Sequence, residues 1–460
     1  MREVTVVICV DFGSTFTKAA LVDLDEGAIV ASVSHPTTIE TDVLDGYDAC
    51  LAALTAHDPR AADAEVLACS SAGGGLRIAV VGNEELVTAE AGRRVALSSG
   101  GKVVAVRALS QGDDLDDLAE PDVVLLTGGT DGGNGAVLVD AAVRLVASGW
   151  RGPVVVAGNT DVRDEAAAVF AGLPCVLADN VVPRIGVLAP ESARAAIREM
   201  FLAHVIGGKH LSRRTDFTAM VKGATPDVVL RGVELLARGL GFTEDGRARP
   251  GAGDVVVVDV GGATTDVHSV VEIDPEHSGL AREVVATTPV TRTVEGDLGM
   301  RWSAVSTVAA AGLDHLVEAA ERRHAEPGFL PDSDEERLVD EAIAKAAVET
   351  ALKRHAGRSK VVLSPEGRVV ERTGKDLREV DLLVGSGGAL RNGAEGVVGR
   401  VLLPATGEHD GGWQLPRAPR TVLVDHHQVL AAAGLLAARH PDAAHRLLER
   451  FAATSDAAGE

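Results

Sequence analysis

Two short stretches bring a carboxylate, glycine and small hydroxyls together at the end of an apolar run. The first is "DFGSTFTK", Asp11 to Lys18, after the run "VVICV". A carboxylate ending a buried strand needs a partner. Magnesium suits Asp11, because it keeps its waters and favours carboxylates together with phosphate oxygens. Gly13 lets the backbone turn and approach a ligand closely. The N–H groups of Ser14, Thr15 and Phe16 then form an anion-binding concavity. Lys18 adds a point charge toward phosphate oxygens. Taken alone, the pattern fits an ordinary glycine hairpin with a solvated lysine equally well.

The second stretch is "DVGGATTD", Asp259 to Asp266, after four valines. Gly261 and Gly262, with Thr264 and Thr265, again suit close backbone approach to phosphate. Asp259 would mirror Asp11 across a cleft, one holding magnesium through its waters and the other orienting an attacking water. Repetition of the whole hairpin is what points to chemistry. A third piece, "LLVGSGGALRN", runs a strand into a glycine turn and a helix. Gly385, Gly387 and Gly388 would let a flat adenine lie against backbone, although such a turn by itself is common. "LLTGGTDGGN", with Gly128, Gly129, Asp131, Gly132 and Gly133, also precedes a helix, whose N-terminus attracts anions. A tight strand–helix turn explains it at least as well, and ATP is not placed there.

These stretches need strands and turns to hold them. The first part of the chain reads as three strands, "EVTVVICVDF", "TKAALVDL" and "AIVASVS", then the helix "DVLDGYDACLAALTAH" and the strand "AEVLACS". That is the order of a ribonuclease-H-like unit. "NEELVTAEAGRRVALSS" reads as a helix with Asn83 as its N-cap. From Pro121 strands and helices alternate strictly, as in a small parallel βαβαβ set. Later, "DVVVVDVGGATTDVHSVVEI" restarts the opening pattern, with "REVVATTP" as its third strand. "MRWSAVSTVAAAGLDHLVEAAERR" and "DSDEERLVDEAIAKAAVETALKRHAG" read as helices. The expected fold class is α/β, two ribonuclease-H-like (actin-like ATPase) lobes facing a nucleotide cleft, with a parallel βαβαβ insertion in the first. The expected boundaries are 1–225 for the first lobe with its insertion at about 121–190, 226–430 for the second, and 431–460 for a closing helix and tail.

Composition narrows the function. The 460 residues exceed one ordinary core, and the formal charge of -23 repels nucleic acid and anionic membranes. The expectation is no nucleic-acid partner and no membrane association. Four cysteines, Cys9, Cys50, Cys69 and Cys175, form no C-x-x-C pair, which fits a reduced cytoplasmic setting. No G-x-x-x-x-G-K-[ST] phosphate loop occurs. Asp425, His426 and His427 are read as a helix start or adenosine-side aspartate with two structural or exposed histidines, because adjacent side chains diverge.

The order of the two hairpins, the glycine turn and "VDHHQVLAAAGLL" resembles the actin, heat-shock-chaperone and sugar-kinase ATPase superfamily. In that comparison Ala263 stands where DnaK-type chaperones have a glycine. More narrowly, "DFGSTFTKAALVD", "CSSAGGGLRIAVVG", "LLTGGTDGGN", "DVGGATTDV" and "TVEGDLGMR" resemble the glutamate mutase accessory family, called MutL or GlmL and distinct from the mismatch-repair protein. The resemblance implies an ATP-dependent chaperone or reactivating factor for an adenosylcobalamin-dependent aminomutase, with ATP and magnesium between the lobes and slow turnover. The alternative is a small-molecule kinase of the same superfamily, for which Asp131 is the one tempting base. An electron-transferring activase would need cysteines in the second lobe, and none follows Cys175.

Overall fold

The computed structural model describes residues 5–72, 75–208, 210–242, 246, 248–272, 288–364 and 367–454. Three five-stranded sheets organise it. The first holds β1 (Val6–Phe12), β2 (Phe16–Asp23), β3 (Ala28–Pro36), β4 (Glu65–Ser70) and, much later in the chain, β10 (Val221–Ala224), in the order β10-β4-β1-β2-β3. Between β4 and β10 the chain builds a parallel sheet from β5 (Leu76–Gly82), β6 (Gly101–Ala108), β7 (Val123–Leu126), β8 (Val154–Val156) and β9 (Cys175–Leu177), in the order β6-β5-β7-β8-β9. After the small hairpin β11 (Gly241–Phe242) and β12 (Ala248–Arg249) comes the second large sheet. It contains β13 (Val255–Val260), β14 (Thr265–Val270), β15 (Val290–Glu295), β18 (Leu382–Ser386) and β19 (Thr421–Val424), in the order β15-β14-β13-β18-β19. A separate two-stranded hairpin, β16 (Arg358–Ser364) with β17 (Gly367–Thr373), lies between β15 and β18 in the chain.

The first and second sheets are the same construction. In each, the first strand pairs antiparallel with the second and parallel with the fourth. Strand alternation divides the core accordingly. Ile8, Val10 and Phe12 face the first lobe's own core, and Val256, Val258 and Val260 face the second lobe's. Val7, Cys9, Val255 and Val257 face one shared core with the helices Thr225–Arg238 and Val429–Leu436. Those helices cross at glycine. A methyl on Gly232 would lie 2.1 Å from the Leu430 carbonyl oxygen, and one on Gly434 would lie 1.9 Å from that of Val228.

The architecture is the expected α/β pair of lobes with a parallel insertion, and several elements differ locally. The insertion's sheet takes in β5 and β6, upstream of the alternation at Pro121. Asn83 caps no helix. The Thr88 hydroxyl accepts from the amides of Asn83 and Glu84, which tightens the turn into a five-residue wide coil before the helix Glu90–Ser98. The expected helix from Met300 breaks at Gly312, which has φ +66°, into Ala304–Ala311 and Val317–Ala325. Residues 282–287 of the expected strand "REVVATTP" lie outside the described residues, and β15 fills the third-strand position. The triple glycine of "CSSAGGGL" and the loop at 243–254 are described only in part, and the tail beyond 454 lies outside the described residues.

Candidate functional site

Asp11 and Asp259 occupy equivalent places. Each lies on the shared-core side of its strand, just before the final strand residue, Phe12 or Val260. Each hairpin then turns through the same bond. The Gly13 N–H donates to the Phe16 carbonyl at 3.1 Å, and the Gly261 N–H donates to the Thr264 carbonyl at 2.9 Å. A Cβ at Gly13 or Gly261 would meet that same carbonyl oxygen at 2.7 or 2.9 Å, so both turns need a residue without one. Thr17 and Thr265 follow as matching, fully buried hydroxyls. Ala263 has no positive φ, so its methyl causes no backbone strain.

The tips approach each other. A side chain on Gly262 would come within 3.8 Å of Thr15 Oγ1. At these tips the backbone amides of Ser14, Thr15, Gly262, Ala263 and Thr264 have no hydrogen-bond acceptor among the described residues. Such free donors around a turn form an anion-binding surface. The segment Glu295–Arg301 supports the second tip from behind. Met300 N–H donates to Gly261 O and Arg301 N–H to Gly262 O, at 2.9 and 2.8 Å. The Arg301 side chain is tied to Asp340 and to the Phe329 carbonyl, which anchors that support to the long helix Asp334–His355.

The carboxylates differ in their surroundings. Asp11 accepts from Thr225 Oγ1 at 2.7 Å and from Lys18 Nζ at 3.3 Å, with the Cys69 thiol 3.6 Å away. Burial first, and then the Asp11 charge, push the Cys69 thiol well above its ordinary range, so it stays protonated beside the carboxylate. Lys18 therefore points at Asp11 in this conformation. Asp259 has no hydrogen-bond donor among the described residues. Its cross-strand neighbour, where the first hairpin has Lys18, is Asp266. Burial raises Asp266, Arg292 opposes that rise, and Asp259 adds to it.

The third glycine turn lies against the second hairpin. Gly387, at φ +110°, would place a Cβ 2.1 Å from Val260 O, and Gly385 would place one 2.8 Å from Leu402. Smallness at these two positions is required by packing, while Gly388 faces open space. Asp425 is buried and accepts from the amides of Val429 and Leu430, so it starts the crossing helix Val429–Leu436. Burial is the main cause of its raised pKa. His426 turns to Arg391 O and His427 to Ser32 on β3, in different directions as expected. Asp131 accepts from the Thr160 N–H and from Asn180 within the insertion. Burial works against its ionisation, but these hydrogen bonds hold it below the usual carboxylate range.

Sequence reasoning did not single out Thr225 or Arg292. Thr225 stands at a Thr-Pro helix start, after a four-residue strand too short and mixed to read from sequence. Arg292 lies in no motif, and its partners are far away in the chain. Among the described residues no group of three or more metal-ligating side chains occurs, and no helix is long and apolar enough to cross a membrane.

The family described as MutL protein matches residues 7–452. "Protein MutL" of Clostridium tetanomorphum is 35% identical over 462 residues, covering 96% of this chain and 98% of that protein. Among solved structures, a nucleotide-free acetone carboxylase is 14% identical with a TM-score of 0.39, over 95% of this chain and 70% of that one. The activator of the 2-hydroxyisocaproyl-CoA dehydratase from Clostridium difficile, with bound ADPNP, is 11% identical with a TM-score of 0.31, over 95% and 96%. The chain belongs to the MutL family, the glutamate mutase accessory family rather than the mismatch-repair one.

Proposed function

We propose that this member of the MutL family binds ATP with magnesium between its two lobes, and that slow hydrolysis drives the reactivation of an adenosylcobalamin-dependent aminomutase of the glutamate mutase type. The observation carrying the nucleotide reading is the pair of equivalent hairpins, whose facing tips hold five backbone donors, and beside them Asp259, with no partner among the described residues. That set fits a metal–phosphate group, with amides for phosphate oxygens and carboxylates for the waters of magnesium. When bound, magnesium supplies charge neutralisation for the phosphates. In this reading Asp259 and Asp11 hold the ion through water, and Gly13, Ser14, Thr15, Gly261, Gly262 and Thr264 line the phosphates, while Thr265, buried and donating to Leu298 O, holds the turn from within and does not reach them. Gly388 offers open backbone to the base, while Gly387 brings that turn against the second hairpin and Gly385 leaves room for Leu402 behind it. Lys18 must leave Asp11, or share it, to reach a phosphate.

Slow turnover follows from the assignment. The useful output is a lobe movement, and the ATP and ADP states must bind the two lobe arrangements with different free energies. Family membership and the near-complete match to a curated MutL protein support the mutase partner. The test is calorimetric titration with ATP and ADP, with and without magnesium, followed by turnover with a damaged mutase holoenzyme. Magnesium-dependent binding without any effect on a mutase would keep the site and remove the partner. No binding by folded protein would remove the site.

A further inference from the structure

The second hairpin is wired to the insertion through one buried cation. Asp266 stands opposite Asp259 across the hairpin, on the same face of the sheet. Arg292, on β15 and only 4% exposed, donates from Nη2 to Asp266 Oδ1 at 2.8 Å. Its Nη1 donates to the carbonyl oxygens of Leu97 at 2.9 Å and Gly101 at 3.3 Å. Leu97 lies in the last turn of the helix Glu90–Ser98, where a cation is favoured, and its carbonyl also accepts from the Gly100 N–H at 3.1 Å. Gly101 opens β6. Both belong to the parallel unit that the chain inserts between β4 and β10 of the first lobe. One guanidinium thus joins the cleft hairpin of the second lobe to a helix and a strand of the insertion.

We propose that Arg292 is a positioning residue for Asp259 and the strut that passes the state of the second hairpin to the parallel insertion. This rests on the nucleotide reading above. Asp266 and Asp259 are neighbouring carboxylates, so a cation or phosphate arriving at Asp259 changes the field at Asp266. Arg292 holds Asp266 with one arm and the insertion with the other. A buried guanidinium stripped of one partner is costly, so a shift at one arm is resisted or followed at the other. Only a planar fork with several donors can serve both ends, and lysine cannot span them.

The test is hydrogen exchange by mass spectrometry across Glu90–Ser98 and Gly101–Ala108, with and without Mg-ATP, in wild type, Arg292→Lys and Asp266→Asn. Without nucleotide, Arg292→Lys should exchange these segments roughly tenfold faster while β7 and β8 stay at wild-type rates. Asp266→Asn should keep that resting protection but lose the nucleotide-driven change, and the magnesium dependence of ATP affinity should weaken in both variants. Wild-type exchange in Arg292→Lys overturns the strut. A wild-type nucleotide response in Asp266→Asn overturns the relay, and this arm decides it even if Arg292→Lys fails to fold. If wild type takes no nucleotide by calorimetry, the functional reading falls and the relay with it, while the nucleotide-free comparison still judges the strut separately.

Discussion

Asp11 and Asp259 end equivalent strands in equivalent turns, yet the first is surrounded by donors and the second by another carboxylate. In the first hairpin a lysine on the partner strand neutralises the aspartate directly, and Thr225 fixes its other oxygen. In the second the position of that lysine is Asp266, and its neutralising cation, Arg292, sits one strand further out. Duplicated backbone therefore does not mean duplicated electrostatics. The first hairpin is complete within the protein, and the second leaves a charge for something else to meet.

Removing that charge is the sharpest way to break the contrast. Asp259→Ala should abolish magnesium-dependent ATP binding in calorimetry while leaving the denaturation midpoint close to wild type, because no described residue loses a bond. A magnesium response that survives would mean the two aspartates are not divided in this way. Gly387→Ala comes next. It forces a Cβ to 2.1 Å from Val260 O at φ +110°, and the cost should be about 3 kcal/mol in denaturant unfolding. Asp11→Asn should cost about 1–2 kcal/mol in the same measurement, since one of the two accepting oxygens becomes an NH2 donor and Lys18 loses its ion pair. If Asp259→Ala proves the more destabilising of the two aspartate variants, the comparison is reversed. Thr225→Val is the mildest, at about 1 kcal/mol, and Thr225→Ser should restore the bond.

The duplicated hairpins were legible because their signal is local. Asp-x-Gly followed by hydroxyls reports a turn whose bond joins residues three apart, and both Gly13 and Gly261 make it. The doubled sheets followed from valine-rich strands with matching order. Thr225 and Arg292 were not legible, because their roles come from contacts 214 and 195 residues away in the chain. β10 escaped for a related reason. Its four residues "VKGA" carry no periodicity, and only pairing with β4 makes them a strand. Asn83 misled because its side-chain amide turns to the Glu84 carboxylate, while Thr88 ties the backbone of the turn.

The crossing of the two central helices has one more consequence. Gly232 meets the carbonyl four residues before Gly434, and Gly434 meets the carbonyl four residues before Gly232. A contact in which i touches j and j touches i, with matching offsets, is the pattern of an isologous two-fold interface between identical subunits. Here it occurs within one chain, between two copies of one sheet design. The two central helices thus meet as the halves of a symmetric dimer would. Each helix receives the other's backbone at its own glycine, so a side chain added at either crossing point parts both contacts at once.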